Sequence, residues 1–431
     1  MQRLVKIAYL ANKIRIVSCR VKTSRAVSLG VWVGTGGRYE QQPENGISHF
    51  LEHLVFKGTR HRSYRDIKEA VEGKGGSLNG FTSEEITCFL AKTLREHFCA
   101  GLEVLLDMAF FPALQGRDVE RERGVIGEEI RMYLDLPQHL AYDRLMTMLW
   151  PGHPLGRNLA GSLATVQAIT AADVRAYQQR WYQPANITIV ACGDITAAEI
   201  AAAAEKFFAA YRTAAPGSTP GGYTAAPSRP DDGALGVIRS RTQQIQLCLG
   251  LHAFSRLDPD RYALVMLHII LGANMSSRLF NEIREERGYA YEIATAVKQF
   301  NDTGAFIIHA GLVRDKVEAS VGLIGKTLRS VMRCGVSRDE LTRAKEYFHG
   351  QFLMGLEDTG ERMMWIGEQI MTVGKVETEE TILAAVDRLR LPDVRRVARR
   401  IFSAPGKSLA LVGPVPRALE QHLAKKMREG L

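Results

Sequence analysis

Two histidines and a glutamate, His49, Glu52 and His53, stand in the order H-x-x-E-H inside a run of helix-forming residues. In a helix of 3.6 residues per turn, positions i, i+3 and i+4 lie on one face, so this spacing gathers two imidazoles and a carboxylate into one small volume. Neutral imidazoles suit Zn²⁺. A catalytic zinc site also needs a third protein ligand and an open position for water, and Glu52 is placed to take that water's proton. The order is inverted relative to the commoner H-E-x-x-H. Apolar Ile47, Phe50, Leu51, Leu54 and Val55 occupy the other faces, as expected for a helix buried everywhere except on the side carrying these three groups.

The third ligand must come from elsewhere in the chain. The acidic segment 116–130 (GRDVERERGVIGEEI) has helical periodicity, with Val119, Val125, Ile126 and Ile130 forming an inward stripe. Glu122 and Glu129 are two turns apart and share a face. Glu129 can ligate while Glu122 orients a ligand from behind. A surface helix carrying ordinary carboxylates accounts for the spacing equally well.

These segments are positioned by strands near 13–19, 26–34, 76–81 and 86–92 and by helices near 46–56, 63–73, 97–110, 117–133 and 171–181. A further strand, 187–193, and a final helix close the half. Strands linked without regular βαβ alternation favour an antiparallel sheet with helices packed on it. The pattern then repeats. Ala172-Asp173-Val174-Arg175 recurs as Pro392-Asp393-Val394-Arg395, 220 residues later, and 187–193 faces 407–413 at the same offset. Ser337-Arg338-Asp339-Glu340 is a capping box opening a long helix in the second half. Between the halves, 214–233 is rich in Pro and Gly without apolar periodicity and reads as a flexible linker. The expected fold is α+β: two homologous halves, each a mostly antiparallel sheet packed with helices, facing each other as a clamshell. The N-terminal zinc-binding domain is expected at 1–213 and its metal-free homologue at 234–431.

Of the 431 residues, 46% are hydrophobic, enough for a large core in more than one domain. No stretch approaches a membrane span, and the N-terminus lacks the apolar core of a signal peptide, so no membrane insertion and a cytoplasmic setting are expected. The formal charge of +9 is spread along the chain. Its one dense cluster, 388–400, has the spacing of a helix with a solvated face, so nucleic acid is not an expected partner. The six cysteines form no C-x-x-C pair and are expected as reduced core thiols.

The run 46–59 (GISHFLEHLVFKGT), then 75–83 (GGSLNGFTS), then Glu122 to Glu129, strongly resembles the pitrilysin/insulinase metallopeptidases, and most closely their mitochondrial processing peptidase-like group. The resemblance extends from the opening 27–40 (VSLGVWVGTGGRYE) through the two-half organisation. It implies a third ligand about 76 residues after the second histidine, which selects Glu129 over Glu128, with Glu122 as its supporting acidic residue. It implies one Zn²⁺ per chain, held by His49, His53 and Glu129, with Glu52 as the base. It also implies that a peptide substrate is added as a strand along Gly76, Ser77, Leu78, Asn79, Gly80, Phe81 and Thr82, where relatives usually carry Ala at the position of Gly80. Arg284 and Tyr291 match an Arg/Tyr pair that completes the site from the second half. In that half, Leu264, Leu267 and His268 stand opposite His49, Glu52 and His53, and Gly350 stands opposite Glu129, so the metal chemistry is lost there. The expected activity is zinc-dependent endopeptidase action on peptides or unstructured segments held between the lobes, in a homodimer or as a paired subunit. The alternative is a non-catalytic scaffold or partner subunit of a processing-peptidase-like assembly.

Overall fold

The computed structural model describes residues 5–211, 221–227 and 233–428. The first half runs β1 (Val5–Tyr9), β2 (Arg15–Arg20), β3 (Ala26–Val33), α1 (Ile47–Val55), α2 (Tyr64–Val71), β4 (Ser77–Thr82), β5 (Thr87–Leu94), α3 (Phe98–Phe110), α4 (Gly116–Leu134), α5 (Pro137–Leu149), α6 (Leu163–Ala168), α7 (Ala171–Trp181), β6 (Ile187–Gly193) and α8 (Ala197–Ala210). The second runs β7 (Ala234–Arg239), β8 (Gln244–Ala253), α9 (Arg261–Gly272), a π-helical turn (Phe280–Glu285), β9 (Ala290–Gln299), β10 (Gly304–Val313), α10 (Val317–Cys334), α11 (Arg338–Gly355), α12 (Thr359–Thr372), α13 (Glu379–Asp387), α14 (Leu391–Phe402), β11 (Ser408–Gly413) and α15 (Arg417–Arg428). The fold is α+β, as expected.

The two sheets share one plan. The first has the order β1-β2-β6-β3-β5-β4 and the second β7-β11-β8-β10-β9. In both, the first strand of the shared plan pairs in parallel with the last strand of its half, and the other pairings of that plan are antiparallel. β1 is an antiparallel addition at the rim of the first sheet. β4 and β9 are the corresponding edge strands, each paired on one side only among the described residues.

β3 is largely apolar and buried on both faces because both are covered, with Ser28 hydrogen-bonded to Thr359 at 2.9 Å. Val27, Leu29, Val31 and Val33 enter the main core with α1, α3, α7 and α8. Trp32 points the other way, into a cluster with Val17, Val190, Cys192 and, from α12, Met363, Ile366 and Ile370. Single-sided packing would have given the alternation of polar and apolar residues that β3 lacks. The second sheet is built alike: Ile245, Leu247, Leu249 and Leu251 of β8 face one core, while Cys248 meets Ala141, Leu145 and Leu149 of α5. The compact units accordingly exchange helices. One comprises 1–130, 158–224 and 353–378; the other comprises 131–157, 225–352 and 379–431.

Of the linker segment 214–233, residues 214–220 and 228–232 lie outside the described residues. At 223–224 the chain is tied to the first unit: the Tyr223 ring lies 3.8 Å from the Arg38 guanidinium, which also donates to the Thr224 carbonyl at 3.0 Å. The basic cluster forms α14, with Val394, Val397 and Ile401 buried. Its outer arginines are not merely solvated: Arg396 and Arg400 pair with Asp258 and Asp260, and Arg399 donates to the Met332 carbonyl at the end of α10. All six cysteines are free thiols. Four are buried, but Cys99 and Cys334 are exposed rather than in the core.

Candidate metal centre

α1 is fixed at its start by a buried carboxylate. Glu40 accepts from the backbone N–H groups of Gly46 and Ser48, at 2.8 and 2.9 Å, and from the Asn45 amide at 3.2 Å. These are the donors a helix leaves unpaired at its N-terminus. Burial raises the Glu40 pKa against the lowering pull of these bonds. Gly46 has φ +97°, and a Cβ there would stand 2.6 Å from the Ala160 carbonyl oxygen, so only glycine fits. The Tyr177 hydroxyl bridges Ser48 and Thr35, 2.7 Å from each. With Ile47, Phe50, Leu51, Leu54 and Val55 buried, the remaining stripe of α1 presents His49, Glu52 and His53.

α4 lies across from this stripe. Val119, Glu122, Ile126, Gly127 and Ile130 are its buried residues, and Glu129 is half-buried beside them. Val125, expected in the inward stripe, is 46% exposed. It lies a 100° step round the helix from Ile126, on the outer side. Glu128 is exposed, while Glu129 turns to the histidines.

His49 Nε2 and His53 Nε2 stand 3.7 and 3.5 Å from the same Glu129 oxygen, and one donor atom from each of the three residues falls within 4.8 Å of the others. In a tetrahedral zinc site with bonds of about 2.0–2.2 Å, donors stand about 3.3–3.6 Å apart, so the two nitrogen-to-oxygen separations and the N,N,O donor types suit that ion. No other such group of His, Cys, Asp or Glu occurs among the described residues. Behind it, His53 Nδ1 meets Glu122 Oε2 at 3.3 Å, and the other oxygen of Glu122 pairs with the Lys57 ammonium at 2.8 Å. Burial, then the neighbouring His53, pulls the His49 pKa down to about 4. Burial pulls on His53 too, but its bonds to Glu129 and Glu122 outweigh that and raise it. The carboxyl of Glu52 is pushed up by burial, against a hydrogen bond from the Thr82 hydroxyl at 2.7 Å.

Ser77 to Thr82 form edge strand β4, paired among the described residues with β5 alone, and Gly76 lies just before it. The strand therefore keeps a row of backbone donors and acceptors off the sheet, although the Gly80 N–H donates to the Asn79 side chain at 2.9 Å. Arg284 and Tyr291 belong to the second unit and neighbour one another there. The Arg284 guanidinium lies 4.7 Å from the Phe280 ring and 5.7 Å from the Tyr291 ring, beside a recess of about 350 Å³, and Tyr291 is 75% exposed. Arg284 sits in the π-helical turn, a geometry frequent at functional sites. At the repeat positions, Leu264 and Leu267 are buried and His268 bonds the Thr295 hydroxyl at 2.7 Å. Sequence reasoning missed Lys57, although it lies four residues after His53, and Glu40, a lone acid just before the helix start.

Residues 15–163 match the family profile described as insulinase (peptidase family M16), and residues 168–348 match that of the peptidase M16 inactive domain. The chain belongs to the M16 peptidase family. This M16 chain is 34% identical over 404 residues to the Bacillus subtilis protein named uncharacterized zinc protease YmxG, covering 94% of this chain and 97% of that one. It is also 34% identical to an uncharacterized zinc protease of Streptomyces coelicolor over 412 residues, covering 94% and 89%. Its fold matches that of a protease from Helicobacter pylori with a TM-score of 0.89 at 23% identity, covering 95% and 99%. It likewise matches a Pseudomonas fluorescens structure titled peptidase M16 inactive domain, with a TM-score of 0.88 at 18% identity, covering 96% and 98%. No helix among the described residues is long and apolar enough to cross a membrane.

Proposed function

We propose that this chain is a zinc-dependent endopeptidase acting on peptides or unstructured polypeptide segments. The observation that carries the reading is the convergence of His49, His53 and Glu129 within 4.8 Å, with Glu52 on the same helical stripe. The three residues would hold Zn²⁺, which supplies Lewis acidity and makes water acidic enough to lose a proton near neutral pH. Glu52 takes the proton of the attacking water and returns it to the departing amine. Burial, which raises its pKa, suits it to carry a proton between the two events. Glu122, pairing with Lys57 on one side and His53 on the other, holds the second imidazole in orientation.

The free edge of β4 takes the substrate as an added strand, so main-chain pairing gives affinity with little demand on sequence. Half-buried Arg284 and exposed Tyr291, side by side, carry the donors suited to a peptide carbonyl as charge develops on it. The scaffold alternative has the completeness of the donor set and base against it.

Glu52→Gln tests the reading. The variant is expected to keep stoichiometric zinc while losing most turnover of a mixed peptide library followed by mass spectrometry. Wild-type rates in that variant refute the role of Glu52. A chain that binds zinc and cleaves no peptide favours the scaffold.

A further inference from the structure

Strand β4 alternates its side chains between two layers. Phe81 turns to Trp32, with ring centroids 5.7 Å apart in an edge-to-face contact. Leu78 packs on the main core, and Gly80 brings its backbone so close to Phe56, the residue after α1, that a Cβ would stand 3.1 Å from that ring. Thr82 shares this second face, and its hydroxyl donates to Glu52 Oε2 at 2.7 Å. Thr82 also pairs in register with Thr87 of β5, so its backbone is held by the sheet. One residue of the free edge strand is thus bonded to the carboxylate on the metal-centre helix.

We propose that Thr82 is a positioning residue that ties the orientation of Glu52 to the strand on which the peptide pairs. This inference rests on the reading of Glu52 as the base and of β4 as the substrate edge. The hydroxyl occupies one carboxylate oxygen and fixes the rotation of the Glu52 side chain, leaving the other oxygen to meet water. β4 has no neighbour on its outer side among the described residues, so a peptide added there stiffens the strand that carries Thr82. The same strand that pairs the peptide thus also sets the rotation of the base.

The test uses the full chain with Thr82→Val, Thr82→Ser and Glu52→Gln, alone and combined. Thr82→Val keeps the side-chain shape and the backbone pairing while removing the donor. Its kcat is expected to fall about 10-fold, the low end for a residue supporting a metal centre, with KM within about twofold of wild type. Zinc stoichiometry, and the affinity of a fluorescent peptide for the slowly cleaving Glu52→Gln background with or without Thr82→Val, should not change. Thr82→Ser should restore kcat. In the Glu52→Gln background, Thr82→Val should cost nothing further, since the two residues act as one unit. Full kcat in Thr82→Val while Glu52→Gln is inactive overturns the inference and leaves the base reading standing. Loss of zinc or a raised KM in Thr82→Val, or losses that multiply in the double variant, overturn it in favour of a purely structural role. Full turnover in Glu52→Gln overturns both.

Discussion

Gly367 of α12 is expected to be among the least replaceable glycines of the first unit. A Cβ built there stands 2.1 Å from two atoms of the Trp32 indole and 2.7 Å from a third, whereas carbon atoms in contact settle at about 3.5–4.0 Å. The ring cannot retreat. Trp32 is buried to 1% exposure, Phe81 packs against it edge-on, and Gly30 lies beneath its pyrrole edge with room for no side chain. Overpacking of this kind costs about 1–3 kcal/mol, and an overlap of more than 1 Å places Gly367→Ala at the upper end. Alanine returns about 1 kcal/mol of helix propensity, leaving a net loss of about 2 kcal/mol. For a unit of roughly 200 residues, that lowers the melting temperature by about 4–8 °C. Gly322→Ala in α10 is the control, because a Cβ there meets nothing within 4 Å. It should stabilise by up to about 1 kcal/mol. Differential scanning calorimetry of the two variants beside wild type measures both shifts. If Gly367→Ala melts at or above the wild-type temperature, the wedge of α12 against Trp32 is refuted.

Two further predictions follow from buried ionisable groups. Lys57→Met removes the ammonium 2.8 Å from Glu122, leaving that nearly inaccessible carboxylate without its ion-pair partner and loosening its hold on His53. Zinc affinity measured by chelator competition should weaken about 10-fold, and an unchanged affinity would show that Glu122 needs no such support. In the second unit, burial depresses the His268 pKa to about 4. The unfolded chain binds the proton near pH 6.5, so the stabilisation is fully present above that pH and is lost progressively as pH falls toward 4, by on the order of 2–3 kcal/mol. His268→Gln should flatten denaturation midpoints across this window, and an undiminished slope would place the acid sensitivity elsewhere.

The helix that carries His49, Glu52 and His53 was legible because three chemically distinctive residues share a face through short local spacing, which no tertiary contact is needed to reveal. The acidic helix was legible only in part. Glu122 and Glu129 share the face that meets His53, as their spacing says, but the position of the buried stripe, which excludes Val125, depends on what lies against it. β1 escaped notice because it is a rim strand with most of its side chains partly or fully exposed, so alternation is weak. α5 and α12 were invisible for a different reason. Their apolar faces match sheets formed by distant parts of the sequence, and a local periodicity does not say which surface it will cover. The bond from Thr82 to Glu52 likewise joins residues thirty apart and emerges only once β4 is laid against α1.

The exchange of α5 and α12 also bears on how the chain is made. The first sheet has all its strands once Gly193 has left the ribosome, yet its second cover does not exist until Thr372 is synthesised. Meanwhile α5 has emerged with Leu145 and Leu149 turned outward and no second sheet to receive them. During translation the nascent polypeptide therefore carries two sticky surfaces, each awaiting a counterpart not yet encoded in peptide bonds. Splitting the gene between the repeats would perpetuate that condition, and the two products would regain solubility chiefly by finding each other.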